Sequence, residues 1–273
     1  MIRIKAIVLF TLFLFQFQTI ANEKRLTLLT KKPQQGSMII AKLNGEGNVY
    51  FNDVLLDKTS QGIFVFGVAR DANDEVIVTI RTEDKAENVP IPIGSREWEI
   101  ERVDGLPPNK ISPKSKSVLD RIAQEGRLIR AARNTKSQLT HFSMPFIQPA
   151  QGRISGVYGS QRILNGVPKR PHFGLDIANK TGTPVIAPAS GVVTLTHSDM
   201  FYSGATLVID HGFGISSTYI HLSSIDVEVG QKVKQGDLIA KIGSTGRATG
   251  PHLDWRLNWL QTRLDPNLLL ITK

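Results

Sequence analysis

Five residues in the C-terminal half combine types and spacings that can bind a metal ion or move a proton. They are His172 and Asp176 in Pro171-His172-Phe173-Gly174-Leu175-Asp176, His221 in Tyr219-Ile220-His221-Leu222, and His252 and Asp254 in Gly250-Pro251-His252-Leu253-Asp254-Trp255. Pro171 and Gly174 argue against helix around the first pair, and in an extended chain residues four apart point to the same face. His252 and Asp254, two apart in a strand, share a face at a separation of about 6.5 to 7 Å. Two such faces meeting would gather imidazoles and carboxylates around one ion. The chain contains no cysteine, so thiolate chemistry and disulfides are excluded, and a metal site must use His, Asp and Glu, a set compatible with zinc. A catalytic zinc keeps one position for a water whose pKa it lowers toward about 7. There is no His-Glu-x-x-His pattern, which excludes a thermolysin-like helical site. Spacing alone leaves a second reading open, in which each histidine is a satisfied surface or core group.

The elements that must position these residues are mostly strands. After Phe146, β-rich runs at 184–188, 191–196, 206–210, 216–221, 227–229, 238–242 and 252–259 are separated by glycine-containing turns, which predicts an antiparallel, mainly β domain with long loops over 144–273. Between Glu23 and Val103, short runs at 37–43, 49–55, 63–68 and 76–82 are punctuated by Asn44-Gly45, Gly47-Asn48, Gln61-Gly62 and Asn73-Asp74, the pattern of a small β-sandwich over 22–104. That segment has no histidine and no acids at ligand spacing; the reading is a structural or binding module, with positioning or autoinhibition as alternatives. Gly105-Leu106-Pro107-Pro108 opens a linker, 105–143, in which Val118, Leu119, Ile122, Ile129 and Ala132 recur at helical spacing opposite arginines. An amphipathic helix from about Ser115 to Arg133 follows. The fold class is therefore mainly β: N-terminal sandwich, linking helix, C-terminal antiparallel β domain.

Arg3 and Lys5 precede an apolar run from Ala6 to Phe17 that ends near Thr19-Ile20-Ala21. This is the shape of a secretory signal peptide over 1–21, and the run is shorter than the roughly 20 residues of a membrane span. The expected location is periplasmic or secreted, with no membrane span after cleavage behind Ala21. The formal charge is +9, and +7 without Arg3 and Lys5. Such a surface suits an anionic partner. Nucleic acid is a poor candidate without a basic, aromatic-interleaved motif, which leaves the cell envelope.

The motifs taken together resemble the lysostaphin-type zinc metallopeptidases over about 120 residues: His172-x-x-x-Asp176, Tyr219-x-His221-Leu222 and Gly250-Pro251-His252, in that order. Gly182-Thr183-Pro184-Val185, Ala187-Pro188-Ala189-Ser190-Gly191, Val229-Gly230 with Val233-Lys234-Gln235-Gly236-Asp237, and Gly243-Ser244-Thr245-Gly246 extend the resemblance. It implies a duplicated hybrid motif fold and hydrolysis of peptide bonds in peptidoglycan stems or cross-links. It also implies zinc ligation by His172 and Asp176, and a place for His221 and His252 beside the metal-bound water as general base or oxyanion stabiliser. The pattern departs at the last ligand, where the family has a second histidine and this chain has Asp254. A carboxylate is an accepted zinc ligand, but it carries one more negative charge, which should raise the water's pKa and favour harder ions such as manganese. Asp254 also feeds a rival reading, a catalytically inactive wall-binding regulator that activates a cell-wall amidase. A biotinyl- or lipoyl-type carrier fails for want of a suitably placed lysine. Among the remaining residues, Tyr158 and Arg162 are candidates to line a substrate groove, His211 reads as a hairpin residue, His141 and His197 as surface groups, and Trp255 and Trp259 as packing.

Overall fold

The computed structural model describes residues 24–105 and 113–270. The expected signal segment and the Leu106-Pro107-Pro108 break lie outside the described residues. Apolar residues spaced for a pleated, one-sided surface build the N-terminal strands: β1 (Leu26–Leu28), β2 (Met38–Leu43), β3 (Asn48–Phe51), β4 (Val54–Leu55), β5 (Ile63–Gly67), β6 (Glu75–Arg81) and β7 (Ala86–Pro92). They form two antiparallel sheets, ordered β1-β2-β5 and β4-β3-β6-β7, with Ile39, Phe64, Phe66, Val49, Val78 and Ile91 buried. The apolar run at 49–55 is split into a hairpin, because Asn52 and Asp53 take positive φ values of 48° and 60°. That pair of left-handed residues closes a two-residue turn and matches the strand twist.

Next come β8 (Ile100–Val103), helix α1 (Lys116–Arg133), β9 (Arg153–Gly156), β10 (Gln161–Leu164), β11 (Val167–Pro168), β12 (Leu175–Ala178), β13 (Pro184–Ile186) and β14 (Gly191–Met200). The chain finishes with β15 (Gly204–Gly212), β16 (Ile215–Ile225), β17 (Lys232–Val233), β18 (Leu238–Ile242), β19 (His252–Trp259) and β20 (Thr262–Leu264). The large sheet runs β17-β14-β15-β16-β19-β12-β9, with β13, β18 and β20 paired at its side. No strand forms at 227–229; the chain turns there, and β17 follows it.

Helix α1 is anchored differently from its sequence pattern. Leu119 and Leu128 are exposed while Glu125, Ala132 and Arg133 are buried. Glu125 accepts from Arg121 Nε at 2.6 Å and from the Phe201 backbone N–H at 2.9 Å, which ties the helix to the end of β14. Ala132 is buried and Val118, Ile122 and Ile129 are half-buried, so part of the expected apolar stripe packs and these polar contacts supplement it.

The N-terminal sheets share one continuous core with the C-terminal sheet. Phe51 lies 5.9 Å from Trp259, and Gly67 packs directly beneath Trp259 and Leu264, where a Cβ would collide. Arg96 pairs with buried Asp265 at 2.8 Å, and Arg70 Nε donates to the Gly159 carbonyl at 2.7 Å. The N-terminal module thus braces the 158–160 loop that leads into the candidate site.

Candidate metal centre

The register of two neighbouring strands creates the centre. β12 and β19 are antiparallel with Asp176 directly opposite Asp254 and Ala178 opposite His252. Two like charges facing each other across a ladder repel, and both are buried, at 5% and 1% exposure. Such a pair persists only with compensating positive charge. His172, just before β12, is held by backbone bonds, its N–H to the Ser160 carbonyl and its carbonyl to the Gly159 N–H, each 2.8 Å. Ligand atoms of His172, Asp176 and Asp254 all lie within 4.8 Å of one another. His172 Nε2 is 3.1 Å from Asp176 Oδ1, yet these two atoms and His172 Nδ1 have no hydrogen-bond partner among the described residues. Buried polar atoms without partners are rare. Two carboxylates and an imidazole with unused lone pairs fit a divalent cation such as zinc. Gly174 makes the approach feasible, since a Cβ there would run into Asp254 Oδ1 and the Trp255 carbonyl.

Each carboxylate also has an arginine. Arg162 Nη2 donates to Asp176 Oδ2 at 2.7 Å and its Nε to Glu101 Oε2 at 3.1 Å. Arg256, two residues beyond Asp254 on the same strand, donates from Nε (2.9 Å) and Nη2 (2.6 Å) to the two Asp254 oxygens. Burial pushes the Asp254 carboxyl up, but Arg256 chiefly, then His172, hold it well below the usual carboxylate range. Burial and Asp254 likewise push Asp176 up, and His172 and Arg162 bring it below its ordinary value. Both are ionised at neutral pH. Arg256 offsets the charge that Asp254 brings to the site.

His221 and His252 stand side by side, ring centroids 4.8 Å apart, on a groove of about 310 Å³ that Glu101, Arg162 and Asp176 also line. Thr218 and Ile220 face the site side of β16 and Tyr219 faces the core, so strict alternation would send His221 to the core. Instead His221 has φ 65° beside a register shift, and this left-handed residue turns the imidazole into the groove. Its Nδ1 lies 2.7 Å from the Thr245 carbonyl, and His252 Nδ1 lies 2.8 Å from the Gly250 carbonyl. A carbonyl only accepts, so each Nδ1 carries a proton and, in the neutral form of either ring, Nε2 holds the lone pair. Burial lowers His221 to about 4, against the pull of Asp254.

Of the other residues singled out from sequence, Arg162 lines the groove but Tyr158 does not. It is buried, 5.9 Å from both Trp98 and Phe173, with its hydroxyl donating to the Arg263 carbonyl. His211 is a fully buried strand residue bridging the Ser190 carbonyl and Ser217 Oγ, each 2.7 Å away. Trp255 and Trp259 are buried, and His141 and His197 are half-buried outside the groove. Sequence reasoning misses Glu101 and Arg256, which the structure places in the arginine–carboxylate pairs of the site. Arg256 carried a signal, being on the Asp254 face of the strand, whereas Glu101 arrives through parallel pairing of β8 with β10, opposite Arg162.

Residues 170–266, which contain all five candidate residues, match the model of peptidase family M23. The chain carries an M23 peptidase domain. Relatives of the M23 domain here include peptidoglycan DD-endopeptidase ShyA of Vibrio cholerae, 46% identical over 107 residues, covering 38% of this chain and 24% of the relative. DD-carboxypeptidase/endopeptidase Mpg of Neisseria meningitidis is 43% identical over 86 residues, covering 32% and 20%. The chain thus matches a quarter or less of the length of these curated relatives. The crystal structure of a Pseudomonas aeruginosa protein assigned to the M23 peptidases superposes with a TM-score of 0.68 at 29% identity, over 88% of this chain and 96% of that one. The similarity therefore extends beyond the M23 domain into the N-terminal sheets.

Proposed function

We propose that this protein is an exported, metal-dependent endopeptidase that hydrolyses peptide bonds in peptidoglycan stem peptides or cross-links, acting in the periplasm or outside the cell. The observation that carries the reading is the facing pair Asp176 and Asp254 with the unpartnered His172, beside two imidazoles whose Nε2 lone pairs are free. The names of the relatives support the substrate class, and the positive charge, +9 for the whole chain and +7 without Arg3 and Lys5, suits an anionic envelope. Zinc, held by His172, Asp176 and Asp254, would supply Lewis acidity and a water acidic enough to ionise near neutral pH; manganese suits the same oxygen-rich set. Arg256 and Arg162 hold the two carboxylates in place. His221 or His252 accepts a proton through Nε2 from the water attacking the scissile carbonyl. The protonated ring then hydrogen-bonds the developing oxyanion or returns the proton to the leaving amine. No side-chain nucleophile is required.

The second reading, an inactive wall-binding regulator that activates a cell-wall amidase, is favoured by one observation: Arg256 donates to both oxygens of Asp254. Elemental analysis of the purified protein and of Asp254→Ala, alongside peptide release from purified peptidoglycan, separates the two. The enzyme reading expects about one zinc per chain and hydrolysis, both lost in the variant. A metal-free protein inert on peptidoglycan after zinc and manganese are supplied would establish the regulator instead.

A further inference from the structure

A second cavity, of about 700 Å³, lies on the other side of His221, between α1 and the face of the large sheet. Its charge is lopsided. Arg133, Arg170, Arg256 and Arg263 all line it, and among its lining residues there is no Asp or Glu. Asp254 is close enough to influence Arg133, Arg256 and Arg263, and it is already engaged by both donors of Arg256. Arg133 is 4% exposed, and among the described residues it makes only a 3.3 Å bond to Thr218 Oγ1 and its Nε has no partner. Among the described residues Arg263 reaches only the neutral Asn258 Oδ1, at 3.2 Å. Burial, then the neighbouring guanidiniums, lower both Arg133 and Arg263. A buried guanidinium with an unused donor among like charges is costly unless a ligand anion completes it.

The shape of the donor set narrows the anion. Guanidinium forks match planar, two-oxygen acceptors in bidentate fashion. Ile129, Phe173 and Ile220 add apolar wall next to the charges, which suits an organic group bearing the anion more than a bare inorganic ion. The cavity shares His221, Arg162 and Arg247 with the groove at the candidate metal centre, so a ligand anchored there continues directly to the reacting position.

We propose that this arginine-lined cavity is a carboxylate-binding subsite that anchors a peptide substrate by a free carboxylate next to the scissile bond. The inference deepens the peptidase reading and rests on it for the word substrate, but the binding itself requires no hydrolysis.

The test uses the full exported protein with N-acetyl-D-alanyl-D-alanine, its C-terminal amide, and sodium sulfate as probes. Binding is followed by calorimetry and by protection of arginine side-chain resonances, in wild type, Arg263→Gln and Arg170→Gln. Arg170 is exposed, so its variant tests the cavity without risk to the core. The acid should bind about tenfold or more tighter than the amide, the size expected of one charge-assisted fork, and both variants should erase most of that preference. Equal binding of acid and amide, no binding of either at millimolar concentration, or displacement of the acid by equimolar sulfate would overturn the proposal; the last would make it an adventitious ion only. Hydrolysis of purified peptidoglycan is measured in parallel. Acid preference without hydrolysis would sink the peptidase reading and keep the subsite, whereas hydrolysis without acid preference would do the reverse.

Discussion

Replacing Arg256 by methionine keeps the apolar stem and removes the charge that neutralises Asp254. Asp254 is 1% exposed and would be left facing Asp176 with no cation bonded to it. At an effective dielectric of about 20, unit charges some 4 Å apart interact by about 4 kcal/mol. Arg256 keeps 24% of its side chain exposed, so screening and the desolvation it no longer suffers return part of that. A net loss of about 2 kcal/mol in metal-free protein is expected, or a fall in Tm of roughly 4 to 8 °C for a protein of this size. A divalent cation beside Asp254 supplies the missing charge, and by linkage it stabilises the state that binds it. The gap between wild type and Arg256→Met should therefore shrink to less than about 1 kcal/mol in saturating zinc. Urea unfolding followed by circular dichroism, with EDTA and with zinc, measures both differences. Superposable curves in EDTA, or a gap that zinc leaves unchanged, would refute the reasoning.

Four further outcomes follow from the same geometry. Gly174→Ala should weaken zinc binding about tenfold or more without touching a ligand, since the new Cβ displaces Asp254; competition with a chromogenic chelator reads it. His221→Ala should abolish most hydrolysis of peptidoglycan while zinc content by elemental analysis stays near wild type, which separates proton transfer from metal retention. His211 is buried and lowered to about 4, burial being the main cause. The unfolded state therefore binds more protons between that value and about 6.5; stability present above pH 6.5 falls by up to about 3 kcal/mol toward pH 4, and His211→Gln should flatten that slope in pH-dependent unfolding. Trp259→Ala should cost about 3 to 5 kcal/mol by urea unfolding, because it empties the junction where Phe51 and Gly67 meet the large sheet.

The sequence by itself determined the mainly β character, because alternation and turn residues are local properties. Leu238–Ile242 and His252–Trp259 emerge at the positions their patterns predict. It also singled out His172, Asp176, His221, His252 and Asp254, since Gly, Pro and apolar residues around an isolated imidazole or carboxylate are visible in one dimension. Only the tertiary structure decided how these residues meet. Asp176 faces Asp254 through strand register, and His221 enters the groove through a positive φ that a period-two pattern would deny. Glu101 reaches the site through a parallel pairing between segments 61 residues apart in the chain at Glu101 and Arg162. The arginines that compensate the carboxylates, and those left uncompensated in the second cavity, look alike in sequence as solvated charges. Their meaning comes from burial and from which oxygen lies within hydrogen-bonding reach, which depend on how distant strands and one helix pack.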